Sequence, residues 1–171
     1  MNRRNACSLI ASAGLISLVA GGTCAWATES FTDFEGRIVN FSDQIPQDRW
    51  LVVMIWSHLC PVCAKEMAGQ AQLHERHRDG NLALMGLSLD GADAVMEAWA
   101  FTEEHGVTFP NLIGEAQDVV EFYTRQSGLA FRGTPTFLLY APAGVLKAVH
   151  AGALPPGAIE AFIDGEQKEH N

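Results

Sequence analysis

The stretch from Leu51 to Cys63 constrains this chain more than any other: Leu51-Val52-Val53-Met54-Ile55-Trp56 runs straight into Ser57-His58-Leu59-Cys60-Pro61-Val62-Cys63. A run with no polar side reads as a strand covered on both faces, in the middle of a sheet. Pro61 suits the first turn of a helix, and Met67, Ala71 and His74 then recur near helical spacing up to about His77. A helix is therefore expected to start at the cysteine pair.

The rest of the chain supplies partners for that unit. Phe31 to Phe34 and Arg37 to Phe41 are short β-prone pieces around Glu35-Gly36 and read as a hairpin. Leu82 to Leu89 is a second buried strand, followed by a helix from Asp93 to His105 with Val95, Met96, Trp99 and Ala100 on its inner face. Alternation of this kind implies parallel strands joined by right-handed crossovers. A weaker helical stretch, Ala116 to Tyr123, leads to Gly133-Thr134-Pro135. Thr136 to Tyr140 and Val145 to His150 then flank the turn Ala141 to Gly144 as an antiparallel pair. Gly157 to Ile163 is a short closing helix. The fold class is α/β, a central mixed sheet flanked by helices with an N-terminal β-hairpin, and Trp56 and Trp99 are read as core.

The first residues resemble a secretory signal: Arg3 and Arg4, an apolar run from Leu9 to Val19, and the small-x-small site Ala25-Trp26-Ala27. The expected organisation is a signal peptide over 1–27, one domain over 28–165 and a polar tail over 166–171, with the protein exported or periplasmic after cleavage near Ala27. The alternative is an uncleaved anchor, but the run is diluted by Ser, Gly and Cys, whereas a spanning helix wants ~20 strongly apolar residues. Membrane contact is expected only if the segment is kept. A lipid-modified Cys24 fits poorly because Thr23 precedes it.

Cleavage would remove Cys7 and Cys24 and leave Cys60 and Cys63 alone in 144 residues, so no structural disulfide framework is available. The remaining chain carries 9 basic against 20 acidic residues, a formal charge of −11, which disfavours nucleic acid and anionic membrane as partners.

A cysteine at a helix start faces unpaired backbone N–H groups and the positive end of the helix dipole, both of which favour thiolate. Cys60 is therefore the expected nucleophile. Cys63, one turn on, faces the same side and can resolve a mixed disulfide. The competing reading of Cys-x-x-Cys is half of a zinc site, with His74-Glu75-Arg76-His77 downstream. On one helix, however, Cys63 and His74 stand roughly 16 Å apart along the axis, at ~1.5 Å per residue, too far to share a metal. His74 and His77 are expected on the surface.

With these residues in view, the strand, the Trp56-Ser57-His58-Leu59-Cys60-Pro61-Val62-Cys63 segment, the helix and the later Gly133-Thr134-Pro135-Thr136 resemble a thioredoxin-fold protein, and more narrowly the TlpA/ResA-like family. The resemblance covers roughly Phe31 to Ile163 and includes His105-Gly106-Val107-Thr108-Phe109-Pro110. It implies a thioredoxin-like fold and an exported thiol-disulfide oxidoreductase. It also implies that Glu66, three residues after Cys63, is a half-buried carboxylate exchanging protons with the thiols. Met54 takes the place of the buried Asp of thioredoxin itself. Pro135 is implied to be a cis-proline against the cysteines, keeping metal out and leaving the backbone beside it free for an extended substrate. Thr134, Trp56 and His58 are the expected substrate-binding residues; no metal and no cofactor are expected. Leu59 departs from the family's Trp before the first cysteine, and an imidazolium at His58 would further favour the Cys60 thiolate.

The leading expectation is reduction of disulfides in exported partner proteins, with electrons from a membrane thiol reductase. A dithiol oxidase or isomerase, and a Cu(I) chaperone using Cys60 and Cys63 with His150 or Met54, remain as alternatives. A peroxidase is disfavoured because the chain lacks a Pro-x-x-x-Thr-x-x-Cys constellation.

Overall fold

A computed structural model describes residues 29–169, and the expected signal segment lies outside the described residues. Hairpin β1 (Ser30–Asp33) and β2 (Ile38–Asn40) comes first, then β3 (Trp50–Trp56), α1 (Pro61–Arg76), β4 (Leu82–Ser88), α2 (Val95–Glu104), β5 (Asn111–Ile113) and α3 (Ala116–Ser127). Strands β6 (Thr136–Ala141) and β7 (Val145–Ala151) and helix α4 (Pro156–Glu169) complete the chain. One sheet runs in the order β2-β1-β5-β4-β3-β6-β7. The pairs β3/β4 and β4/β5 are parallel, whereas β6 pairs antiparallel with β3 and β7, and β1 with β5 and β2.

Strand β3 sits inside the sheet, between β4 and β6, and all seven of its residues are buried. Side chains alternate across a strand, so Trp50, Val52, Met54 and Trp56 pack with α1, α2 and α4, while Leu51, Val53 and Ile55 pack with Val119, Phe122 and Tyr123 of α3. That two-sided burial is why the run carries no polar residue. A one-residue register slip would exchange the two faces, and they are not alike: one carries the tryptophans of β3, the other its aliphatic side chains.

Three expectations are corrected. Helix α2 turns Ala98, Phe101 and Thr102 inward with Val95 half-buried, while Met96, Trp99 and Ala100 face out; Met96 is 65 % exposed and Trp99 46 %. Phe101 claims the inner position by stacking on Trp56, with ring centroids 5.2 Å apart, so Trp99 is not core. The tail expected over 166–171 is instead continuous with α4 to Glu169, and Glu166 pairs with Lys147 at 3.0 Å. Strand β5, not anticipated, is only three residues long.

Candidate active site

Cys60 is the N-cap of α1, with extended backbone, and Pro61 follows at the first helical position. The Cys60 sulfur accepts the Cys63 N–H at 3.1 Å and donates its own proton to the Thr134 carbonyl at 3.4 Å. Both thiols are free. Cys60 keeps 9 % of its surface, whereas Cys63 has none, having moved one turn into the helix and onto the core that holds Met54 and Met67.

This placement splits the two thiols chemically. Burial alone would raise the Cys60 pKa, but hydrogen bonding with the Cys63 thiol and the Thr134 side chain, and from the backbone of Cys63 and Val62, brings it below the ordinary 9.0. Cys63 is pushed up to about 12, chiefly by burial and then by the hydrogen bond and charge of Cys60, against a lowering hydrogen bond from the Ser57 backbone. At neutral pH, Cys60 is therefore the more readily ionised thiol of the pair.

Pro135 begins the other wall. The Thr134–Pro135 peptide is cis, Pro135 is buried, and its carbonyl accepts the Gly152 N–H at 2.8 Å. Thr136 pairs with Ile55 in the β3/β6 register, which sets Thr134 and Pro135 beside the carboxyl end of β3, where the cysteines start.

Of the other expected site residues, Glu66 is half-buried and accepts the Leu154 N–H at 3.0 Å, while neighbouring Gln70 donates to the Leu154 carbonyl at 2.8 Å. Glu66 thus has a structural task, joining α1 to the segment before α4. Trp56 is corrected as a substrate-binding residue: it is fully buried, stacked on Phe101, and its Nε1 donates to Asn111 Oδ1 at 3.0 Å. The surface beside Cys60 is formed instead by Leu59, 78 % exposed, and Val62, 40 % exposed. Met54 is buried under the pair, and the His150 ring is tied to the Ala153 carbonyl at 3.0 Å. His77 contacts Glu160 at 3.1 Å, and His74 is half-buried, its pKa lowered mainly by that burial.

Sequence reading missed Asp90. This carboxylate, two residues beyond β4, accepts the Ser57 hydroxyl at 2.5 Å, the His58 N–H at 2.9 Å and the Ser88 hydroxyl at 2.7 Å; the His58 ring Nδ1 lies 3.1 Å away. Burial would raise its pKa, but those hydrogen bonds hold it below the usual carboxylate value. A serine pair around a strand exit, Ser57 and Ser88 with an acid at 90, was the available signal.

The model of the AhpC/TSA family matches residues 25–149. The chain belongs to the AhpC/TSA family. Among curated relatives, this family member is 22 % identical over 145 residues to the thiol-disulfide oxidoreductase ResA of Oceanobacillus iheyensis, covering 85 % of this chain and 65 % of the relative. It is 39 % identical over 72 residues to a 1-Cys peroxiredoxin of Onchocerca volvulus, covering 37 % of this chain and 30 % of that one. The chain thus spans just under two thirds of the first relative and less than a third of the second. Among solved structures, a secreted Mycobacterium tuberculosis disulfide oxidoreductase homologous to Escherichia coli DsbE superimposes with a TM-score of 0.64 at 16 % identity, over 80 % of this chain and 94 % of that one. StoA of Bacillus subtilis gives 0.59 at 17 % identity, over 78 % and 94 %. These likenesses establish the thioredoxin-like fold of this AhpC/TSA member.

Proposed function

We propose that the protein is a thiol-disulfide oxidoreductase that exchanges disulfides with partner polypeptides through Cys60 and Cys63. The observation that carries this reading is the opposed state of two thiols one helical turn apart, one held toward thiolate and still 9 % exposed, the other fully buried with its pKa at about 12. A peroxide-reducing reading needs one activated thiol; two thiols in mutual hydrogen-bond contact serve exchange better.

In the reductive direction the Cys60 thiolate attacks one sulfur of the partner's disulfide, the S–S bond breaks, and the other partner sulfur leaves as thiolate. Cys63, on losing its proton, attacks the Cys60 sulfur of the mixed disulfide. The partner's second thiol departs, and two electrons have passed from the dithiol to the partner. Glu66 is the proposed proton acceptor for Cys63, and the Thr134 backbone the proposed contact for the bound segment. Reduction as the working direction, export after loss of residues 1–27, exported disulfide-containing partners and a membrane thiol reductase as electron donor belong to the same proposal. They are supported by the signal-like N-terminus and by relatives of the ResA and DsbE kind.

The test is a trapping comparison. Cys63→Ser, expressed in an oxidising compartment, is expected to accumulate mixed disulfides through Cys60 that vanish on reduction, and Cys60→Ser to accumulate almost none. Adducts on Cys63, or none in either variant, would remove the reading.

A further inference from the structure

The segment that presents Cys60 is a turn in which the N–H groups of His58, Leu59 and Cys60 are all taken. The Cys60 N–H bonds the Ser57 carbonyl at 3.1 Å and the Leu59 N–H bonds the Ser57 hydroxyl oxygen at 3.1 Å, while the His58 N–H goes to Asp90 at 2.9 Å. Ser57 in turn donates its hydroxyl to the other Asp90 oxygen at 2.5 Å. The turn is thus tied to Asp90 twice, through the His58 N–H and through the Ser57 hydroxyl, and Ser57 in turn holds the N–H groups of Leu59 and Cys60.

The carboxylate is itself fixed. Its side chain is 4 % exposed, Ser88 donates to it at 2.7 Å and accepts the Asp90 N–H at 3.1 Å, and the Leu89 N–H bonds the Trp56 carbonyl at 3.0 Å, locking the exits of β3 and β4 together. A buried anion with three donors is costly to leave unpaired and stiff when paired. The titratable side chain facing it is His58. Ser57 also reaches the second thiol, since its backbone hydrogen-bonds Cys63.

We propose that Asp90 is the positioning residue of the dithiol site: its carboxylate holds the turn Ser57 to Cys60, and with it the backbone that meets both sulfurs, in the geometry that keeps Cys60 activated. The inference rests on the exchange reading above. It assigns Asp90 no contact with substrate. Its effect passes through Ser57: released from Asp90, the turn relaxes and the Cys60 sulfur loses its alignment with the N–H groups of the helix start.

Two opposed effects must be separated, because deleting the carboxylate also removes an anion near the thiols, which by itself would lower the Cys60 pKa. Ser57→Ala breaks the hydroxyl link, leaving the His58 N–H bond and the anion in place. In the full-length reduced protein, Cys60 alkylation is followed against pH for wild type, Ser57→Ala, Asp90→Ala and the double variant, with circular dichroism and thermal melting to confirm folding. The expected result is a rise in the Cys60 midpoint and a loss of about tenfold in rate at neutral pH for Ser57→Ala, the size of one hydrogen bond to a charged group. Asp90→Ala behaves likewise, the double variant is no slower than the slower single variant, and Ser57→Thr, which restores a hydroxyl, recovers the wild-type profile. An unchanged profile in folded Ser57→Ala, a faster Asp90→Ala or additive losses in the double variant would overturn the proposal. Should Asp90→Ala fail to fold, Ser57→Ala and Ser57→Thr still decide. If Cys63→Ser traps no mixed disulfides, the exchange reading fails while the alkylation comparison still reports on Asp90; normal trapping with unchanged alkylation in every variant removes Asp90 alone.

Discussion

Iodoacetamide added to the reduced protein at neutral pH is expected to label Cys60 well before Cys63, and the structure sets the size of the difference. Cys63 stands at about 12 and Cys60 below 9.0, at least three pH units apart. That gap alone gives Cys60 a thiolate fraction ~1,000-fold larger. A less basic thiolate is a weaker nucleophile, and a Brønsted slope of ~0.5 over three units returns about 30-fold, leaving a net preference of roughly 30-fold or more. The full burial of Cys63 against the 9 % exposure of Cys60 widens it further. Short exposures, quenched with acid, digested and fragmented by mass spectrometry between residues 60 and 63, give the first-labelled site directly. Equal labelling, or Cys63 first, would refute the argument that a helix start and a buried second turn set the division of labour.

Two further outcomes follow from contacts around the site. A Cβ at Gly86 would overlap the Asn111 amide and come within 2.8 Å of Trp56 Nε1, breaking the Trp56–Asn111 hydrogen bond, so Gly86→Ala is expected to cost about 1–3 kcal/mol of stability by denaturant unfolding; an unchanged midpoint would show that the sheet yields there. Glu66→Gln keeps an oxygen for the Leu154 N–H but removes the base, so stability is expected to hold while stopped-flow resolution of a mixed disulfide slows at least about tenfold; equal rates would leave Glu66 with its structural task alone.

What was legible in the sequence was whatever one residue type decides over a short distance. The central strand announces itself because burial on two faces excludes every polar residue from β3, and α1 because a proline and a cysteine pair mark its start. Pro135 and Thr134 were found through a resemblance in the motif. The misses share a different cause. Strand β5 has three residues, too few to show alternation, and its place between β1 and β4 is fixed by partners more than ten residues away in sequence. On α2, Met96 and Trp99 are as apolar as Phe101, and only the Trp56 ring, approaching from β3, decides which of them turns inward. Asp90 reads in sequence as an ordinary acid after a strand; its meaning comes from Ser57, 33 positions earlier, arriving at the neighbouring strand exit.

The same pair geometry carries a dependence between the two thiols that the first labelling event should expose. After burial, what raises Cys63 is its hydrogen bond with Cys60 and the charge Cys60 carries. Both are lost once the Cys60 sulfur is bonded to something else, as in a mixed disulfide, whereas the lowering contribution from the Ser57 backbone does not depend on that bond. Cys63 therefore becomes more acidic at the stage when it must attack, and is held as an inert thiol while Cys60 is free. Burial, the largest contribution, stays, so the change is partial. Protein with Cys60 capped irreversibly by iodoacetamide carries no disulfide for Cys63 to resolve, and its slow second phase of labelling, read at residue 63 by mass spectrometry apart from Cys7 and Cys24, reports Cys63. The pH midpoint of that phase is expected below about 12, the position of Cys63 beside a free Cys60. Unfolding the capped protein supplies the reference rate for an exposed thiol. A second-phase midpoint at or above about 12 would mean that burial alone governs Cys63 and that the order of the two steps is not built into the pair.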